Sequence, residues 1–148
     1  MIQYVCGFAY VDDNVILIRK KRPDWMAGLL NGVGGKLEDG EAPERAMSRE
    51  FLEETGILVP VWRLFCTLTV KNPDEVFARV AFFSARLTGL RSISWPPLDE
   101  NPELASVSGI AIRSDVVDNL RWLVPMGRAA NPVIAEAVEP PRPKVVGS

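Results

Sequence analysis

The stretch from Asn31 to Gly56 constrains this chain more than any other. Gly32, Gly34, Gly35 and Gly40 crowd ten residues, a density that marks a turn-rich loop where the backbone approaches something closely. The spacing is neither G-x-G-x-x-G nor a phosphate-binding P-loop, because Leu37 follows Lys36 and no Gly-Lys-Ser/Thr occurs. A helix over 43–55 follows, with Pro43 in its first turn, Glu44 at its positive end and Gly56 as its stop. Met47 and Phe51 lie four residues apart on one face of that helix and are expected in the core.

On either side, the pattern reads as strands. Residues 2–11 and 14–20 form a hairpin about Asp12-Asp13-Asn14, and 57–70 and 76–87 form a second pair about Asn72-Pro73-Asp74. A polar loop over 91–103 leads to a strand at about 105–112. Ser114 then caps a helix over about 115–123, and Pro132 opens a last short helix. One domain is expected over 1–137, with a loose Pro-rich tail over 138–148. Cys6 and Cys66 sit in apolar runs and read as buried thiols. The N-terminus lacks a signal-peptide pattern and no apolar run is long enough to span a bilayer, so the expected location is cytoplasmic, with no membrane partner.

The chain has no histidine, so any acid–base or metal chemistry falls to other groups, and 19 acidic residues make carboxylates the first candidates. Net charge is −2, which gives no general attraction to a nucleic-acid polymer. Arg19-Lys20-Lys21-Arg22 closes the second strand, either as a solvated end or as an attractor of an anionic ligand. The helix carries Glu50, Glu53 and Glu54 on one side. Like charges at these spacings oppose the helix, and acids near its C-terminus oppose its dipole. Two penalties in one place suggest a positive group among them, and hard divalent cations take such oxygen ligands.

Gly35, Glu41 and the run Arg49-Glu50-Phe51-Leu52-Glu53-Glu54-Thr55-Gly56-Ile57 resemble the Nudix box, G-x5-E-x7-R-E-U-x-E-E-x-G-U, at every fixed position. The resemblance implies an α/β/α sandwich with a mixed sheet, and hydrolysis of a nucleoside diphosphate linked to another group. It implies that Glu50, Glu53, Glu54 and the Gly34 carbonyl hold Mg²⁺ or Mn²⁺. Arg49 would then pair with Glu41 or Glu53 rather than touch substrate. Glu53 or Glu50 would act as base, with Glu103 the candidate if the base lies in a later loop. Asn31-Gly32-Val33-Gly34-Gly35-Lys36 is similar to the Asn-Gly-Phe-Gly-Gly-Lys run of oxidised-purine triphosphatases. By that likeness Asn31 contacts the base, with Lys36, Asp118 and Asn119 as further substrate contacts and Trp25, Phe8 or Trp122 as stacking aromatics. The implied enzyme is a monomer or homodimer that cleaves a nucleoside triphosphate to monophosphate and pyrophosphate. ADP-ribose or dinucleoside polyphosphates are alternative substrates, and a nucleotide-sensing module without turnover is a third reading.

Overall fold

The computed structural model describes residues 1–88, 93–129 and 134–143. Its strands are β1 (Ile2–Val11), β2 (Asn14–Arg19), β3 (Leu30–Asn31), β4 (Val33–Lys36), β5 (Arg63–Lys71), β6 (Val76–Arg86), β7 (Asn101–Ser106) and β8 (Ala135–Glu139), with helices α1 (Pro43–Thr55) and α2 (Leu120–Arg128). They form one sheet in the order β3-β2-β1-β6-β5-β8, with β4 added to β1 and β7 to β2. β1 runs parallel to β6 and β5 parallel to β8, whereas the other pairs are antiparallel. The expected mixed sheet is therefore present.

Alternation along β1 and β2 splits the core into two layers, since successive side chains point to opposite faces. Phe8, Tyr10, Val15 and Leu17 pack with Leu120, Leu123 and Val124 of α2. Val5, Ala9, Ile16 and Ile18 pack with Ala46, Met47 and Phe51 of α1 on the other face. One helix on each face gives the α/β/α sandwich. Tyr10 anchors the α2 side by donating its hydroxyl to the Val124 carbonyl at 2.6 Å.

The helix bounds read from Pro43 and Gly56 match α1. Gly56 adopts the left-handed conformation (φ 77°) and donates its amide to the Leu52 carbonyl at 2.9 Å, the C-terminal stop that a residue without Cβ makes easily. The first hairpin turns at Asp12 (φ 52°), and the second turns at Asn72, whose side-chain oxygen accepts the Asp74 and Glu75 amides at 2.9 Å each. Both cysteines are buried and unpaired.

Four expectations need correction. The strand expected from residue 57 begins at Arg63, because 57–62 is held against α1 instead: the Val59 carbonyl accepts Ser48 Oγ at 2.8 Å and Trp62 Nε1 at 3.1 Å, and Trp62 meets Phe51 edge-on. The strand expected at 105–112 is β7, four residues earlier in its start, followed by a 3₁₀ turn over Ile110–Ile112. Pro102 is tolerated because β7 pairs only with β2 and keeps a free edge. The helix expected from Ser114 starts at Leu120, because Val116 bridges to Leu30 and the Leu30 amide binds the Asp115 carbonyl. The tail boundary at 138 falls inside β8, which pairs with β5 from Cys66↔Ala135 to Val70↔Glu139. The helix expected at Pro132 and residues 144–148 of the tail lie outside the described residues. No described helix is long and apolar enough to cross a membrane.

Candidate active site

α1 turns its apolar side to the sheet, so Arg49, Glu50, Glu53 and Glu54 gather where α1 meets β4. Contact there is close. A Cβ on Gly35 would meet the Glu50 carboxylate at 2.5 Å, so glycine is what lets this carboxylate lie against the strand. Arg49 organises the group. Its Nε and Nη2 donate to the two Glu41 oxygens at 2.8 Å each, a bidentate pair. Its Nη1 reaches Glu50 at 2.9 Å and Glu53 at 3.5 Å. Glu41 and Glu50 are mostly covered, at 14% and 13% side-chain exposure, while Glu53 is open at 59%.

These environments separate the carboxylates. The Arg49 guanidinium holds Glu41 down to about 2, helped by the Glu38 backbone. Burial pushes Glu50 above its ordinary value; Arg49 opposes this, and Glu53 and Glu41 add to it. Burial pushes Glu54 up to about 7, Lys20 and the Gly34 backbone pulling it down, Glu50 and Glu100 pushing it further up. Burial and the neighbouring acids both disfavour the charged form of this carboxyl, which a bound cation would favour. The donors are hard oxygens that suit Mg²⁺ or Mn²⁺, and a cation would relieve the repulsion. Among the described residues, no three acidic side chains yet stand close enough together to enclose one, and Arg49 lies between Glu50 and Glu53.

Gly34 and Gly35 connect this acidic face to a cleft of about 450 Å³. Cys6, Leu68, Val80 and Phe82 line it with apolar surface; Asn31 and Asn119 add amides, and Lys20, Trp25 and Arg142 sit on its border. The Asn31 oxygen accepts the Gly32 amide at 2.8 Å, and its Nδ2 contacts Met26 Sδ at 3.8 Å. A second hollow of about 510 Å³, between Asp13, Ser108, Arg121 and Arg128, does not include the box residues.

The structure brings Asn31 and Asn119 together and leaves other expected residues apart. Asp118 is exposed, pairs with Arg121 at 2.9 Å, and does not line the cleft. Lys36 is exposed; its carbonyl, at the end of β4, accepts Arg49 Nη2 at 3.4 Å. Of the three candidate aromatics only Trp25 lines the cleft; Phe8 is fully buried in the core, and Trp122 lies on α2 outside it. Glu103 does not join the carboxylates. It pairs with Leu17 of β2 in register and so shares the α2 face of the sheet. There Arg19 grips it bidentately at 2.8 and 2.9 Å, which holds its carboxyl below the ordinary value.

Sequence reasoning named Lys20 only as part of the basic run 19–22 and did not single out Glu100. Lys20 Nζ binds Glu100 at 2.8 Å, and the Lys21 amide donates to the same carboxylate at 2.5 Å. Burial pushes Glu100 up, but these donors outweigh it and bring it below its ordinary value. Arg22 pairs with Asp99 at 2.7 Å. The basic run 19–22 is therefore spent largely on holding loop acids and Asp115, rather than standing free for an anion. The only sequence cue was charge complementarity between 19–22 and 99–103, which cannot assign individual pairs.

The sequence matches the NUDIX domain family over residues 3–123. The chain is a member of the Nudix family, and the mixed sheet, α1 and the box arginine network are its own version of that fold. It is 39% identical to the 8-oxo-dGTP diphosphatase of Escherichia coli K12 over 75 residues, which are 50% of this chain and 58% of that protein. The chain thus spans little more than half the length of this curated relative. A NUDIX hydrolase structure from Nitrosomonas europaea superposes with a TM-score of 0.73 at 18% identity, covering 95% of this chain and 79% of that one. The NUDIX domain of Shewanella oneidensis NrtR, solved with ADP ribose, superposes with a TM-score of 0.69 at 16% identity over 86% of each chain. At these identities the structural likeness concerns the fold.

Proposed function

We propose that this chain is a divalent-cation-dependent pyrophosphohydrolase that cleaves a nucleoside triphosphate, with an oxidised purine (d)NTP as the preferred class, to the monophosphate and pyrophosphate. One observation carries the reading: the acidic face of α1 abuts, through Gly34 and Gly35, a cleft with apolar walls and two amide side chains. The partial likeness to 8-oxo-dGTP diphosphatases supports the choice of base.

Glu50, Glu53, Glu54 and the Gly34 carbonyl are the proposed ligands of Mg²⁺ or Mn²⁺. When bound, such a cation neutralises the diphosphate and lowers the pKa of a water. Glu53, the most open box carboxylate, takes the proton from the attacking water, with Glu50 as the alternative base. Arg49 acts through others: its fork fixes Glu41 and Glu50 so that the ligand set keeps its shape. Lys36 supplies positive charge toward phosphate oxygens. Asn31 and Asn119 offer both a donor and an acceptor to a base edge. Glu103 is replaced in this scheme by Glu100 as the loop acid nearest Glu54, where it holds Lys20.

The reading is tested by product release over 8-oxo-dGTP, dGTP, the other dNTPs, ADP-ribose, NADH and dinucleoside polyphosphates with Mg²⁺. The expected outcome is highest kcat/KM for a purine triphosphate, with pyrophosphate released. Higher kcat/KM for ADP-ribose, the ligand in the NrtR structure, would replace the substrate assignment. Binding of a nucleotide without turnover would favour a sensor.

A further inference from the structure

Past Glu139 the chain leaves β8 and runs along the mouth of the cleft. Its position is set by the sheet, since the parallel register of β8 on β5 ends at Val70↔Glu139. Val70 also lines the cleft, as do Glu139, Pro140 and Arg142. Arg142 brings its guanidinium carbon to 4.0 Å from the centre of the Trp25 ring. Trp25 is 41% exposed and is the one candidate stacking aromatic that borders the cleft.

That distance leaves no room for a third group. An inserted ring needs about 3.5–4.0 Å on each side, twice the gap present. A nucleobase can therefore use this face of Trp25 only by displacing the guanidinium. Pro141 and Pro143 flank Arg142, and fixed proline φ angles limit the ways in which the segment can swing aside.

We propose that Arg142 is an autoinhibitory residue of this cleft, whose guanidinium competes with the base of the incoming nucleotide for the face of Trp25. The inference rests on the reading that a nucleotide enters this cleft. The cost of displacing Arg142 is the same for every base that takes its place, so all bases that stack on Trp25 are weakened alike and a ligand that binds without using Trp25 is spared. The contact lies at the cleft border, apart from the carboxylates on α1, so it acts on ligand entry and not on the bond-breaking step.

Steady-state kinetics of full-length Arg142→Ala on dGTP, 8-oxo-dGTP and dCTP test this. An exposed cation–π contact is worth about 0.5–1 kcal/mol, so KM is expected to fall about two- to fivefold with kcat unchanged. The fall should be by a similar factor for the two purine nucleotides and no larger for dCTP, the weakest stacker. Arg142→Lys should stay near the parent, and in a Trp25→Leu background the effect of Arg142→Ala on KM should vanish. A raised KM in Arg142→Ala would overturn the proposal by making Arg142 a ligand contact, and an unchanged KM would overturn it by making the contact inert. A parent protein inactive on every nucleotide would instead overturn the pyrophosphohydrolase reading, and this inference with it.

Discussion

Arg19 and Arg49 centre two ion networks of similar make-up on opposite sides of the sheet. Arg19 holds Glu103 at 2.8 and 2.9 Å and Asp115 at 2.9 Å, and Arg113 holds Asp115 through a second fork at 2.8 Å. Two guanidinium groups meet two carboxylates, and both acids lie below their ordinary values because of these bonds. On α1, one guanidinium faces Glu41, Glu50 and Glu53, with Glu54 beside them. Lys20, the cation that most lowers Glu54, is already paired with Glu100. There Glu41 is held down, and Glu50 and Glu54 rise. The difference lies in charge balance more than in residue type. A balanced network fastens β2, β7 and the approach to α2, whereas the unbalanced one is where the proposed cation would restore the balance.

The largest test of this contrast is Glu53→Gln. Loss of the proposed base should lower kcat by about 10²–10⁴-fold, measured by pyrophosphate release, with the fold unchanged by circular dichroism. Parental turnover would remove Glu53 from the chemistry.

A smaller effect should appear in stability against pH without divalent cations. The folded Glu54 carboxyl is raised from 4.5 to about 7, so its contribution is complete below about 4.5 and is lost as pH rises through 7. The Tm should therefore fall by several degrees between pH 5 and 7.5, roughly as expected for one strongly shifted carboxyl. Glu54→Gln should flatten that fall, and millimolar Mg²⁺ should offset it in the parent. A Tm that rises across this window in both proteins would contradict the burial of an acid there.

The smallest expected effect belongs to Glu103→Gln. Its carboxylate and Arg19 are partly exposed, at 38% and 27%, so solvent screening leaves at most about 1 kcal/mol. Activity should stay within about twofold of the parent, since an ion pair on the α2 face touches none of the proposed machinery. A loss comparable to that of Glu53→Gln would erase the distinction between the networks.

How much of this was legible in the sequence follows the range of the interactions. α1 is bounded by local signals, Pro43 and the left-handed Gly56, and its bounds were readable. The spacing of Gly35, Glu41 and Arg49–Glu54 carried the family, because a helix and its adjoining turn fix those distances within one segment. Positions set by distant strands were not readable. The start of α2 depends on Leu30 bridging to Val116, and β7 depends on an edge that tolerates Pro102. Glu103 and Glu100 are both loop acids in sequence. Only the register Leu17↔Glu103 puts the first on the far face, and only the Lys20 ammonium and Lys21 amide draw the second toward Glu54.

The most direct measurement is Mn²⁺ binding by electron paramagnetic resonance to the parent, Glu54→Gln and Glu103→Gln proteins side by side. The parent and Glu103→Gln should bind Mn²⁺ with equal affinity, and Glu54→Gln should bind it at least about tenfold more weakly. Equal binding by all three, or a loss confined to Glu103→Gln, would contradict a cation site built on the unbalanced carboxylates of α1.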